Sequence, residues 1–137
     1  MGTDLPTNST AVPETPVILI VEDDAPLRVM WRTALRFEGF TVVEAGDGLE
    51  ALRLLDCSVP NLILLDLGLP NLDGVSVRKD ISAQVLLRDI PVVIITGSTE
   101  DLSDLHVPHV LRKPVSLEQV VRVVQQCTRH ALPGVGA

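Results

Sequence analysis

The chain has 137 residues and a formal net charge of −7, and 46% of its residues are hydrophobic. This length suits one domain with a real core and is too short for two. No apolar run is long enough to cross a membrane, and the N-terminus lacks the basic residues and apolar core of a secretory signal. No cluster of lysine and arginine offers a surface for nucleic acid. We therefore expect a cytoplasmic globular protein with no direct nucleic-acid or membrane partner.

The two ends of the chain show no periodic apolar pattern. Residues 1–16 are rich in threonine, proline and serine, which predicts a disordered leader. Residues 131–137 are predicted to be a flexible tail, so the folded domain is expected to span 17–130. Cys57 and Cys127 have no metal-ligand spacing and are interpreted as reduced thiols in the core of a cytosolic protein.

Strand and helix patterns alternate along the domain. The predicted strands are 17–21, 40–45, 62–66, 91–95 and 110–111. The predicted helices follow Pro26 and Asp47, cover about 75–86, hold one or two turns within 99–105, and follow Ser116. The strands at 17–21 and 62–65 are continuous apolar runs, which is typical of strands buried on both faces in a parallel sheet. Five strands alternating with five helices predict an α/β doubly wound domain with a parallel sheet.

Polar side chains follow the predicted strands at their carboxyl ends. They are Glu22 and Asp23, Asp66, Thr96 and Lys113. The carboxyl ends of parallel strands share one edge of the sheet, which is where ligands bind in open α/β sheets. Taken alone, a carboxylate after a strand is more often a helix cap, and a lone lysine is more often solvated. Together at one edge, these five residues predict a functional site.

The chemistry of these residues suits phosphoryl transfer. Carboxylates in one pocket raise one another's pKa unless a cation relieves them, and oxygen-only ligands favour Mg²⁺ over zinc. A divalent ion and Lys113 would offset the charge of a phosphoryl group, whose transfer needs mostly positioning and neutralisation. Asp66, which directly follows four apolar residues, is then the predicted nucleophile and would form an acyl phosphate.

In these features the chain resembles the receiver domains of two-component response regulators. The resemblance covers roughly 17–129 and is carried by the stretches 18–24, 65–74, 95–97 and 112–114. It implies a flavodoxin-like five-stranded sheet with strand order 2-1-3-4-5. It also implies a protein that takes a phosphoryl group from a sensor histidine kinase or a histidine phosphotransfer protein. Such a protein signals through altered binding of a downstream partner and is not an enzyme.

The resemblance assigns a role to each residue of the site. Asp66 would be the phosphoacceptor, and it would bind Mg²⁺ together with Asp23. Glu22 would act on the metal mainly through water, and the Gly68 backbone carbonyl would complete the protein ligands.

The same resemblance assigns the phosphoryl contacts and exposes two departures. Thr96 would hydrogen-bond a phosphoryl oxygen, and Lys113 would pair with it. The family usually has an aromatic residue three positions before the lysine, and here that position is Val110. The segment between Thr96 and Lys113 is also shorter than usual. Both departures concern the route from phosphorylation to output and leave the phosphorylation chemistry intact.

Two other functions share part of this pattern. A phosphatase of the haloacid dehalogenase type also has a nucleophilic aspartate after a strand, but its second acid would stand at Gly68. A degenerate receiver that only binds partners is the other, and the intact set of site residues argues against it. With no appended domain, the chain is expected to be a single-domain regulator or phosphate shuttle, unless it is a fragment of a longer protein.

Overall fold

The computed structural model describes residues 15–68, 89–97 and 109–129. The strands of these segments are β1 Val17–Val21, β2 Thr41–Ala45, β3 Leu62–Asp66, β4 Val92–Thr96 and β5 His109–Arg112. Their helices are α1 Ala25–Phe37, α2 Gly48–Cys57 and α3 Leu117–Arg129. The helices predicted at 75–86 and 99–105 lie outside the described residues, as do residues 1–14 and the predicted tail.

The five strands form one parallel sheet with the order β2-β1-β3-β4-β5. This confirms both the fold class and the strand order implied by the resemblance. The register aligns the carboxyl ends of the strands: Val21 pairs with Leu65, Asp66 with Ile95, and Thr96 with Arg112. Residues that are far apart in sequence therefore meet at one edge of the sheet.

The sheet has a hydrophobic layer on each face. Every residue of β3 and β4 is buried, as continuous apolar runs predict for central strands. Because successive side chains of a strand point to opposite faces, Ile63 and Leu65 contribute to one core cluster with α2 residues. Leu62 and Leu64 contribute to the other cluster, which contains residues of α1 and α3.

Trp31 lies in the layer between the sheet and the helices α1 and α3. Its side chain is fully buried and belongs to the core cluster on this face of the sheet. The indole N–H has no hydrogen-bond partner among the residues that the structure describes.

Local capping explains where the helices begin. The side chain of Asp24 accepts the Leu27 N–H at 3.2 Å and caps α1. Asp47 caps α2 in the same way through the N–H of Glu50, at 2.8 Å. A capping box also precedes α3, at the Ser116 position after which a helix is predicted. The Gln119 side chain accepts the backbone N–H of Ser116 at 2.9 Å, and the Ser116 hydroxyl accepts the Gln119 N–H at 3.1 Å.

The two thiols are less buried than the sequence suggested. Cys127 is half-buried on α3, whereas Cys57 is the last residue of α2 and is exposed. The expectation of a core position was wrong for Cys57, because the end of α2 turns this side chain to solvent. No helix within the described ranges is long and apolar enough to cross a membrane.

Candidate functional site

Asp66 is the last residue of β3, so its carboxylate lies at the carboxyl end of an apolar strand. Its side chain is 8% exposed. Oδ1 accepts the backbone N–H of Gly68 at 3.0 Å, and Oδ2 lies 3.4 Å from Lys113 Nζ. The strand before it is entirely apolar and buried, so the position of this carboxylate is set by the sheet itself.

Glu22 lies beside it, directly after β1, and is fully buried. Its backbone N–H donates to the Ala45 carbonyl at 3.1 Å, one step beyond the end of β1. Its carboxylate has two partners: Oε1 accepts from Lys113 Nζ at 3.0 Å, and Oε2 accepts the backbone N–H of Asp24 at 3.1 Å. Glu22 is therefore held at both its main chain and its side chain.

Lys113 connects the two buried carboxylates. It follows β5 directly, and its backbone N–H donates to the Thr96 carbonyl at 2.8 Å. Burial lowers the pKa of the Lys113 ammonium, but the hydrogen bond to Glu22 and the charge of Asp66 outweigh that effect and raise the pKa. The lysine is therefore a fixed positive charge between Glu22 and Asp66 at neutral pH.

Asp23 and Thr96 complete the set that the sequence placed at this edge. Asp23 is exposed, and its carboxylate belongs to one group with those of Glu22 and Asp66, whose ligand oxygens lie within 4.8 Å of one another. Thr96 is buried at the end of β4, at the same edge. The structure thus brings Glu22, Asp23, Asp66 and Lys113 together.

Burial changes the acidity of Glu22. Loss of solvent raises the pKa of its carboxyl to about 7, and the nearby charge of Asp66 acts in the same direction. The Asp24 N–H and Lys113 lower the pKa but do not cancel the effect of burial. In the metal-free protein, Glu22 therefore takes up a proton close to neutral pH.

This raised pKa predicts a pH-dependent stability for the metal-free protein. The folded state binds the Glu22 proton more tightly than the unfolded chain does. Proton binding by Glu22 therefore stabilises the folded protein; this stabilisation is fully present below the ordinary pKa of 4.5 and is lost as pH rises through about 7. Between about pH 5.5 and pH 8, wild type should lose about 2 kcal/mol more free energy of unfolding than Glu22→Gln. Urea unfolding in EDTA measures this difference, and parallel pH profiles for the two proteins would contradict it.

Arg28 also contacts the site, and its pattern in the sequence does not predict this. Arg28, on the first turns of α1, donates through Nη1 to the Glu22 backbone carbonyl at 2.6 Å. Its Nε donates to Glu44 Oε1 at 3.1 Å, and Arg32 Nη1 donates to Glu44 Oε2 at 2.7 Å. The signal available in the sequence is Glu44 itself, the single charged residue of its strand.

The comparisons with known proteins agree with this geometry. The response regulator receiver domain family matches residues 18–125. The phosphate regulon transcriptional regulatory protein PhoB of Escherichia coli is 35% identical over 121 residues, which cover 85% of this chain and 53% of PhoB. The chain spans about half the length of the curated relatives it matches.

Solved structures show the same likeness. The receiver domain of Francisella response regulator 1452 has a TM-score of 0.78 at 24% identity, covering 85% of this chain and 99% of that one, and shows the common fold. The Mn²⁺-bound form of response regulator Rcp1 has a TM-score of 0.70 at 32% identity, covering 88% of this chain and 96% of that one. This chain belongs to the response regulator receiver domain family.

Proposed function

We propose that this chain is the phosphoacceptor of a two-component phosphorelay and that Asp66 takes the phosphoryl group. One observation carries the proposal: the Asp66 carboxylate at the end of β3 lies 3.4 Å from Lys113 Nζ and in one group with Glu22 and Asp23. Membership of the receiver domain family supports it. The donor is a phosphohistidine of a sensor histidine kinase or of a histidine phosphotransfer protein.

The residues at this edge suit transfer from a phosphohistidine. An Asp66 carboxylate oxygen forms the new bond to phosphorus, and the bond between phosphorus and the imidazole nitrogen breaks with its electron pair left on the ring. Lys113 offsets the negative charge of the phosphoryl oxygens, and the Thr96 hydroxyl donates a hydrogen bond to one of them. Because Lys113 already contacts Asp66, it needs little movement to serve this role.

The donor chemistry of the carboxylate group fits Mg²⁺. All ligand atoms are oxygens within 4.8 Å of one another, and the exposed side of Asp23 leaves room for the water molecules that Mg²⁺ retains. Asp23 and Asp66 would hold the ion directly, Glu22 mainly through water, and the Gly68 carbonyl would complete the protein ligands. When bound, the ion supplies neutralising charge to the phosphoryl oxygens.

The output of this domain is a change in partner binding, and its role is that of a phosphoacceptor and not of an enzyme with a turnover substrate. A downstream protein in the cytoplasm reads the phosphorylated state, without direct contact of this domain with nucleic acid or membrane. The phosphatase alternative lacks support at Gly68, which offers Asp66 a backbone N–H where a second acid would stand.

A labelling experiment tests the proposal. The protein is incubated with acetyl phosphate or phosphoramidate and Mg²⁺, and its intact mass is measured. We expect one phosphoryl group per chain, stable to acid, labile to base and absent when EDTA replaces Mg²⁺. A protein that stays unlabelled with both donors in the presence of Mg²⁺ is not a phosphoacceptor.

Val110 leads to a prediction about output. It is half-buried on β5, pairs with Ile94 and contacts the core cluster. A β-branched side chain has few rotamers, so Val110 cannot swing between buried and exposed positions as a large ring can. With beryllofluoride, we expect the amide resonances near Gly68 and Gly97 to shift strongly and that of Val110 to shift little. The opposite result would be large shifts centred on Val110 and along α3, with small shifts near Gly68 and Gly97. It would show that Val110 takes part in the response to phosphorylation as the usual aromatic residue does, and it would contradict this prediction.

A further inference from the structure

Arg28 joins the acidic site to β2 through its side chain, in addition to the backbone hydrogen bond from Glu22 to Ala45. Its guanidinium donates to the Glu22 carbonyl at 2.6 Å and to Glu44 Oε1 at 3.1 Å. Its own backbone N–H donates to the Asp24 carbonyl at 2.9 Å, in the first turn of α1. The Arg28 backbone therefore lies one helical turn after the loop of residues 22–24, and its side chain extends back to that loop.

Glu44 holds this guanidinium in place from β2. Its carboxylate accepts from Arg28 on one oxygen and from Arg32 on the other, at 3.1 and 2.7 Å. Burial raises the pKa of the Glu44 carboxyl, but hydrogen bonds from Arg32 and Arg28 outweigh that effect and lower the pKa. Glu44 is therefore ionised at neutral pH, and it anchors the arginine on the neighbouring strand.

We propose that Arg28, anchored by Glu44, is a positioning residue that sets the geometry of the Glu22 and Asp23 carboxylates for metal binding. Its contact is with the Glu22 main-chain carbonyl, and it acts on the carboxylates through that main chain. Mg²⁺ demands nearly ideal octahedral geometry, so a small displacement of the loop that carries two of the carboxylates changes its affinity. This inference rests on the proposed function for the presence and the identity of the metal.

Arg32 provides a matched control. Arg28 and Arg32 lie one turn apart on α1, are 21% and 29% exposed, and each bond one oxygen of Glu44. Only Arg28 reaches Glu22. The variants Arg28→Gln and Arg32→Gln therefore remove the same type of ion pair and differ in the contact to the acidic loop.

The first measurement uses metal-free protein. Amide hydrogen exchange of Glu22 and Asp24 should be about tenfold faster in Arg28→Gln than in wild type, with Arg32→Gln close to wild type. The amides of Leu64 and Ile94 in the central strands report global opening and correct for any loss of overall stability. Equal exchange at Glu22 and Asp24 in the two variants, after this correction, would overturn the proposal.

The second measurement is the affinity for Mg²⁺ alone, by calorimetry. Loss of a residue that orients metal ligands typically weakens binding ten- to a hundredfold, so we expect about that loss for Arg28→Gln. Arg32→Gln should stay within about threefold of wild type, since it leaves the Glu22 carbonyl contact intact. Equal losses of Mg²⁺ affinity in both variants would show that Arg28 contributes only its ion pair with Glu44, and they would overturn the proposal. If wild type does not bind Mg²⁺, the proposed metal site fails, and the metal-free exchange still decides the role of Arg28.

Discussion

Replacing Asp66 with asparagine is expected to abolish phosphorylation by acetyl phosphate or phosphoramidate. Asparagine keeps the size of the side chain and can still accept the Gly68 N–H through its amide oxygen. It has no carboxylate to attack phosphorus, so the acyl phosphate cannot form. Intact-mass spectrometry should show one phosphoryl group on wild type and none on Asp66→Asn.

Asp56→Asn is the matched control for this substitution. Asp56 is an exposed aspartate near the end of α2, away from the carboxyl edge of the sheet. Its variant should be labelled to the same extent as wild type. Labelling of Asp66→Asn at the wild-type level would show that another residue accepts the phosphoryl group and would remove Asp66 from the proposal.

Asp23→Ala is expected to eliminate measurable Mg²⁺ binding, with a loss of more than about a hundredfold in affinity. Asp23 is the exposed carboxylate of the group and makes no hydrogen bond to the residues that the structure describes, so its loss should leave the fold intact. Glu22→Ala should weaken Mg²⁺ less, because Glu22 is expected to act through water. It should destabilise the fold more, since it removes the buried partner of Lys113.

Calorimetry with Mg²⁺ and urea unfolding of the two variants separate these effects. Asp56→Ala serves as the control that removes an exposed aspartate elsewhere. An Asp23→Ala protein that binds Mg²⁺ as tightly as wild type would contradict the prediction that Asp23 contributes more to Mg²⁺ affinity than Glu22. Unfolding curves that coincide for Glu22→Ala and Asp23→Ala would contradict the structural role of Glu22.

Much of the fold could be predicted from the sequence because its strongest signals are local. The run before Asp66 has no polar residue, which indicates burial on both faces, and β3 is buried throughout. Asp47 and Ser116 precede apolar periodicity, and both cap helices as predicted. Once parallel strands are inferred, the meeting of Glu22, Asp66 and Lys113 at one edge follows from topology.

The contacts between distant residues could not be predicted in the same way. Lys113 and Glu22 are separated by 91 positions, and their 3.0 Å contact depends on how far each side chain extends from its strand. The complete burial of Glu22, and therefore its raised pKa, follows from the packing around β1. Arg28 is one of several charged residues on α1, and nothing in its spacing distinguishes the residue that turns back toward Glu22.

The burial of Trp31 gives the protein a built-in optical probe. The chain has one tryptophan and no tyrosine, so its near-ultraviolet fluorescence comes almost entirely from a single indole. That indole is sealed between the sheet and the helices α1 and α3, on the face opposite the one where α2 packs. Its emission will therefore change when the layer between the sheet and the helices α1 and α3 loosens. It will change little when only the layer between the sheet and α2 is altered.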